Sequence, residues 1–195
     1  NSLYQFDPGS FSLSALSAYS GTRRFSALGF VIDEDIYIGL GHNQDNLSLQ
    51  DCWKYNIQSD SWQQVASFPE ENRSGDFAFS LNGKGYVLEI LSSHFRIGEL
   101  WCYHPDDNQW VQKHRIYDRI SIYNKAKVTA LNGFGYCFEN DLYEYNPSFD
   151  FWQFLDDNPF SYIRTSNIFS ANNKLYFVGD TYLNGREFQI WTYEK

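Results

Sequence analysis

Positively charged side chains recur at one position of this sequence, and they are the residues best suited to bind an anion. The members of this set are Arg24, Arg73, Lys125 and Arg164. Each stands five or six residues before a second recurring position, which is occupied by Phe30, Phe79, Ala130 and Phe169. Guanidinium groups bind carboxylates through paired hydrogen bonds. A ring of such cations could therefore hold an acidic peptide or a sugar acid.

The alternative is that each cation pairs with an acidic residue nearby in the chain. Suitable partners are Glu70, Glu71, Asp76, Asp156 and Asp157. Charged side chains at the start of a strand commonly form such local pairs, and the sequence does not decide between the two interpretations.

Other candidate binding residues stand in the same variable segments. They are His42, His94, Phe95, Arg96, Tyr162, Tyr182 and Arg186. Exposed aromatic rings can stack on a peptide or a sugar. The four histidines have no metal-ligand spacing, Cys52, Cys102 and Cys137 form no Cys-x-x-Cys pair, and no nucleophile-elbow or nucleotide-binding glycine pattern is present. The sequence therefore predicts no metal, no cofactor and no catalytic residue.

The elements that must position these residues come from a repeat. An aromatic pair is followed by a polar turn and a tryptophan, and Trp62, Trp110 and Trp152 each stand seven residues after Tyr55, Tyr103 and Tyr145. Upstream of each copy lies a second hairpin, whose turn is Asn82-Gly83 or Asn132-Gly133 in two of the repeats. Asn-Gly favours a type I′ turn between antiparallel strands. Each repeat is thus predicted to hold four antiparallel strands, a, b, c and d.

Repeats of about 40 to 50 residues are typical of radially stacked propeller blades. We predict one all-β domain over residues 1–195. It has complete blades at 24–68, 73–115 and 120–157 and partial blades at 1–23 and 164–195. The a–b and c–d turns emerge on one face, here called the turn face. The b–c and d–a connections, which vary in length and carry the candidate residues, emerge on the opposite face, here called the loop face.

The composition limits the class of partner. The formal net charge is -9 and no run of about 18 apolar residues occurs. Nucleic acid and anionic membranes would be repelled, and no membrane span is predicted.

These residues carry a resemblance to a known family. The pairs Tyr55 with Trp62, Tyr103 with Trp110 and Tyr145 with Trp152, together with the hairpins at 82–86 and 132–136, resemble a kelch-repeat β-propeller over nearly the whole chain. The double glycine that follows strand b in that family is poorly kept. Kelch rings usually have six or seven blades, so the resemblance implies that residues 1–195 are a C-terminal portion of a larger ring. The alternative is a compact five-blade ring, in which two c strands would compete for one place.

The resemblance also supplies the functional expectation. In kelch relatives, similar arginine rings engage acidic peptide motifs. We therefore expect a non-enzymatic interaction module that binds a protein or glycan partner, including an acidic one, through the loop face. The alternative is a kelch-type enzyme such as a sialic acid mutarotase, which acts in the central pocket. Polar loops favour an extracellular or cell-surface setting, with a cytoplasmic adaptor as the alternative.

Overall fold

The computed structural model describes residues 2–70, 77–92, 97–116, 126–138, 141–157, 163–181 and 187–193, and every regular element in these ranges is a β-strand. A hairpin comes first, β1(Leu3–Asp7) and β2(Ser12–Leu16). The first blade follows, with β3(Leu28–Ile32), β4(Asp35–Gly39), β5(Cys52–Asn56) and β6(Ser61–Val65).

The second blade consists of β7(Phe77–Leu81), β8(Lys84–Ser92), β9(Ile97–His104) and β10(Gln109–Gln112). The third has β11(Lys127–Leu131), β12(Phe134–Phe138), β13(Asp141–Asn146) and β14(Phe151–Asp157). The fourth has β15(Ile163–Ala171), β16(Lys174–Thr181) and β17(Glu187–Tyr193).

Each blade is an antiparallel meander in chain order, with four strands in the first three blades and three in the fourth. The innermost strands of successive blades touch: β3 contacts β7, β7 contacts β11, and β11 contacts β15. The blades therefore stack around one axis, and the predicted all-β propeller is confirmed.

The a–b turns have the backbone that the Asn-Gly pattern predicts. Asn82 and Gly83 have φ of 51° and 70°, and Asn132 and Gly133 have φ of 51° and 83°. Left-handed φ at both central residues defines the type I′ turn, whose twist matches that of the flanking strands.

Phenylalanine packs on glycine where neighbouring blades meet. A Cβ added at Gly85 would collide with the Phe30 ring of the preceding blade, and one at Gly135 would lie 2.9 Å from the Phe79 ring. Phe30 and Phe79 each stack on the tyrosine opposite them in strand b at 5.2 Å between ring centroids. The second glycine of each Asn-Gly-x-Gly-Tyr hairpin thus leaves the space into which a phenylalanine ring of the preceding blade packs.

In each four-stranded blade, a side chain at the c–d turn accepts a hydrogen bond from the backbone of the segment that precedes the blade. In the first blade, Tyr55 donates its hydroxyl to Asp60 Oδ1 at 2.6 Å, and the same oxygen accepts the Ser17 N–H at 2.7 Å. Trp62 Nε1 donates to the Ser17 carbonyl at 3.0 Å. These hydrogen bonds, from Tyr55 first, lower the pKa of Asp60.

The second blade repeats this group with Tyr103, Asn108, Trp110 and Ala66. In the third, Tyr145 and the His114 N–H both donate to Asp150 Oδ1, at 2.7 and 2.9 Å. In the first two blades the recurring offset places the tyrosine on the turn residue that accepts the N–H of the preceding segment and the tryptophan on the carbonyl of that same segment. In the third blade only the tyrosine half of this group is formed, because Trp152 Nε1 has no hydrogen-bond partner among the described residues.

No helix in these ranges is long and apolar enough to cross a bilayer.

Candidate functional site

Among the four predicted cations, Arg24 has a side chain that lies within the described part of the chain. Its contacts are with residues of the first blade, to which it belongs. Its guanidinium lies 2.6 Å from Asp51 Oδ2 and also donates to the carbonyls of Leu40 and Asp51, at 3.0 and 3.2 Å. The same Asp51 oxygen accepts Trp53 Nε1 at 2.7 Å. The Arg24 side chain is 4% exposed, so for this residue the local ion pair is formed, with a partner that the sequence reasoning did not name.

Tyr19 also contacts Arg24 and belongs to the same cluster. The guanidinium carbon of Arg24 lies 5.3 Å from the centre of the Tyr19 ring. Burial raises the pKa of Tyr19 to about 12, although Arg24 acts in the opposite direction. The cluster therefore fixes the entry to β3 at the loop face.

His42 begins the b–c loop of the first blade, close to the Arg24 segment. It forms an isolated antiparallel bridge with Phe25, and the two rings stack at 5.6 Å. Its Nδ1 atom is buried and has no hydrogen-bond partner among the described residues. The structure thus brings His42 and Arg24 to one end of the first blade, as the loop-face prediction requires.

Most other predicted site residues lie outside the described residues. This group comprises Arg73, His94, Phe95, Arg96, Lys125, Tyr162, Tyr182 and Arg186. Arg164 lies in β15, where its backbone is paired with Asp180, but its side chain is outside the described part. Their proposed roles stay predictions.

Acidic residues missed by the sequence reasoning recur at the loop-face start of strand c. They are Asp51, Glu99 and Asp141, each two residues before the first aromatic of that strand. Glu99 forms an ion pair with Arg115, whose side chain is 40% exposed. A search for acids at a fixed offset from the aromatic pairs would have found this set.

Glu89 adds a second carboxyl group beside Glu99. The two residues are directly opposite each other in β8 and β9, so their side chains lie on the same face of the blade. Both are buried, and Glu89 is completely so. Two carboxyl groups and one guanidinium therefore meet at the loop face of the second blade. Carboxyl groups can donate or accept a proton, and a guanidinium can bind an anion.

Four-stranded antiparallel blades that stack around one axis, together with the Tyr–Trp spacing, give this chain the fold of a kelch-type β-propeller. No protein-family model matches it. Curated relatives do: N-acetylneuraminate epimerase of Shigella boydii serotype 4 (strain Sb227) is 26% identical over 168 residues. The protein of that name from Escherichia coli (strain K12) is 25% identical over 168 residues. Each alignment covers 84% of this chain and 44% of the relative.

A solved structure of YjhT matches the fold with a TM-score of 0.62 at 17% sequence identity, covering 92% of this chain and 70% of that one. The chain spans 44% of the length of the curated relatives. The expectation of a non-enzymatic interaction module is wrong, because the curated relatives carry the name of an epimerase. These names support the alternative expectation, a kelch-type enzyme, better than the first one.

Proposed function

We propose that the protein is an isomerase that interconverts the anomers of N-acetylneuraminate or a closely related sugar acid. The observation that carries this proposal is the similarity to proteins named N-acetylneuraminate epimerase over 84% of the chain. The glycan ligand is part of the same proposal. An extracellular location stays a prediction.

Anomer exchange needs a proton acceptor and a proton donor. A base removes the proton of the anomeric hydroxyl while an acid protonates the ring oxygen; the ring bond breaks, and closure on the other face of the carbonyl reverses both transfers. Carboxyl groups suit both roles. A guanidinium would hold the substrate carboxylate in place.

The described residues that meet these needs are Glu89, Glu99 and Arg115 at the loop face of the second blade. In this proposal, the partly exposed Arg115 binds the substrate carboxylate and Glu99 transfers the proton. The cations Arg73, Lys125 and Arg164 are proposed to complete the anion site. Arg115 also pairs with Glu99, but its side chain is 40% exposed and can reach a ligand. The Arg24 side chain is 4% exposed and is held by Asp51 and backbone carbonyls, so Arg24 has a positioning role.

Anomer exchange can be measured by NMR magnetisation transfer between the two anomers of N-acetylneuraminate, with the full-length purified protein. We expect faster exchange than in buffer alone. Glu99→Gln should reduce the enzymatic rate by about 100-fold, and Arg115→Gln should mainly raise KM. Arg23→Gln is the matched control, since Arg23 is exposed and should leave both parameters unchanged.

Exchange at the buffer rate would refute the isomerase proposal. If the protein is active but folded Glu99→Gln and Arg115→Gln variants match wild type, this set is not the site.

A further inference from the structure

A polar cleft opens on the turn face, at the junction of the first and second blades. Its volume is about 310 Å³, which is within the lower range of small-ligand sites. The a–b turn of the first blade contributes Asp33 and Asp35, and the c–d turn of the second contributes Asp106 and Asn108. The cleft is therefore on the opposite side of the blades from the loop-face residues described above.

Three carboxylates and one ammonium line this cleft. Lys54 Nζ lies 3.0 Å from Asp35 Oδ2, so Asp35 is neutralised within the first blade. Asp33 and Asp106 form no ion pair among the described residues. The cleft thus has a net charge of -2 and favours a cation.

Tyr37 adds a hydroxyl group to the lining of the same space. Tyr37 is 4% exposed and lines the cleft, and its hydroxyl has no hydrogen-bond partner in the described part of the chain. Burial first, then Tyr103 and the carboxylates of Asp35, Asp33 and Asp106, raise its pKa. A tyrosine hydroxyl can both donate and accept a hydrogen bond, so it is available to a ligand group in the cleft.

The equivalent tyrosines of the next two blades are satisfied internally. The Tyr136 hydroxyl donates to Glu144 Oε2, its cross-strand neighbour, at 2.7 Å. The Tyr86 hydroxyl interacts with the thiol of Cys102, which is opposite it. At the first junction this position is Lys54, which turns to Asp35 instead.

The second junction lacks these acids. Where the first junction has Asp33, Asp35 and Asp106, the corresponding residues of the second junction are Asn82, Lys84 and Ser148. The repeat therefore folds without these carboxylates, and the fold alone does not account for them.

We propose that this cleft binds a small organic cation with several N–H donors, such as an alkylguanidinium. A guanidinium carries five donors in a plane and can donate to carboxylate oxygens and a hydroxyl oxygen together. No group of three or more metal-type ligands occurs among the described residues, which favours an organic cation over a metal ion.

The test titrates arginine methyl ester into the ¹⁵N-labelled protein and follows the amide signals of residues 32–37 and 103–108. Citrulline methyl ester is the matched ligand, because it is similar in shape and lacks the guanidinium charge. We expect saturable shifts with the first ligand and none with the second.

Two variants locate the binding. Asp33→Asn/Asp106→Ser introduces residues that the second junction already carries, and it should weaken binding about tenfold. Tyr37→Phe should weaken it about fivefold. Asp45→Asn/Glu70→Gln removes the same charge from exposed positions elsewhere and should leave binding unchanged.

Non-saturable shifts, an equal response to citrulline methyl ester, or unchanged binding in the folded Asp33→Asn/Asp106→Ser variant would each overturn the proposal. Because the readout is binding at the turn face, its failure is separate from any failure of the isomerase assay.

Discussion

Arg23 and Arg24 are adjacent in sequence but have different physical surroundings. Arg23 is exposed, whereas the Arg24 side chain is 4% exposed and donates to Asp51 and to three backbone carbonyls. Asp51 is 23% exposed and also accepts Trp53 Nε1. Removing one partner of a buried ion pair leaves the other charge uncompensated, which costs more than the pair itself contributes.

Arg24→Met should therefore lower the free energy of unfolding by about 3 kcal/mol, which for a chain of this size lowers the Tm by about 10 °C. Arg23→Met should change the free energy by less than about 0.5 kcal/mol. Urea unfolding followed by tryptophan fluorescence measures both. Equal stability of the two variants would show that the Arg24–Asp51 pair does not hold the first blade.

The junction between blades depends on one glycine in strand b and one phenylalanine in the preceding blade. The Phe30 ring packs directly on Gly85, and the Phe79 ring packs on Gly135 at a larger distance. At the third junction the sizes are exchanged in the sequence: Ala130 stands where the phenylalanine was and Leu175 where the glycine was. Complementary volume is thus maintained from junction to junction, as expected for a close-packed interior.

Gly85→Ala should destabilise the protein by about 2 kcal/mol, because the added methyl displaces the Phe30 ring. Gly135→Ala should cost less, since its nearest ring atom is 2.9 Å away. In a Phe30→Ala background the Gly85→Ala cost should vanish, and a double-mutant cycle measures this coupling. Additive effects would mean that ring and glycine do not touch.

Strand pairing was predictable from the sequence because its signals are local. The offset from Tyr55 to Trp62 and the Asn82-Gly83 turn each depend on a few adjacent residues. The Arg24–Asp51 pair was not predictable in the same way, since 27 residues and a b–c loop separate its members. The acidic cleft was missed for a similar reason, because its carboxylates come from two blades. Function was harder still, since one fold supports many activities.

At the scale of the whole molecule, the hydrophobic side chains of one blade are buried by contact with the neighbouring blade. Leu100 and Leu142 in strand c are fully buried, whereas Ile190, the equivalent residue of β17, is 59% exposed. Hydrophobic clusters accordingly extend across each junction rather than within single blades. Neighbouring blades should therefore unfold together.

The three free cysteines report on this cooperativity. Cys52 lies in the cluster between the first and second blades, and Cys102 and Cys137 lie in the cluster between the second and third. Burial raises the pKa of Cys52 to about 12 and also raises that of Cys102. Since the thiolate is the reactive form, alkylation at pH 8 requires the blades to separate.

We expect iodoacetamide to leave all three thiols of the native protein unmodified, and to label them at one common rate as urea approaches the unfolding midpoint. Peptide mass spectrometry of timed samples gives the three rates. Because the blades are expected to unfold together, Gly85→Ala, which weakens the first junction, should accelerate labelling of all three thiols equally. Faster labelling of Cys52 alone would contradict this and would show that the junctions open separately. Rapid labelling of any thiol in the native protein would contradict the burial on which blade stacking depends.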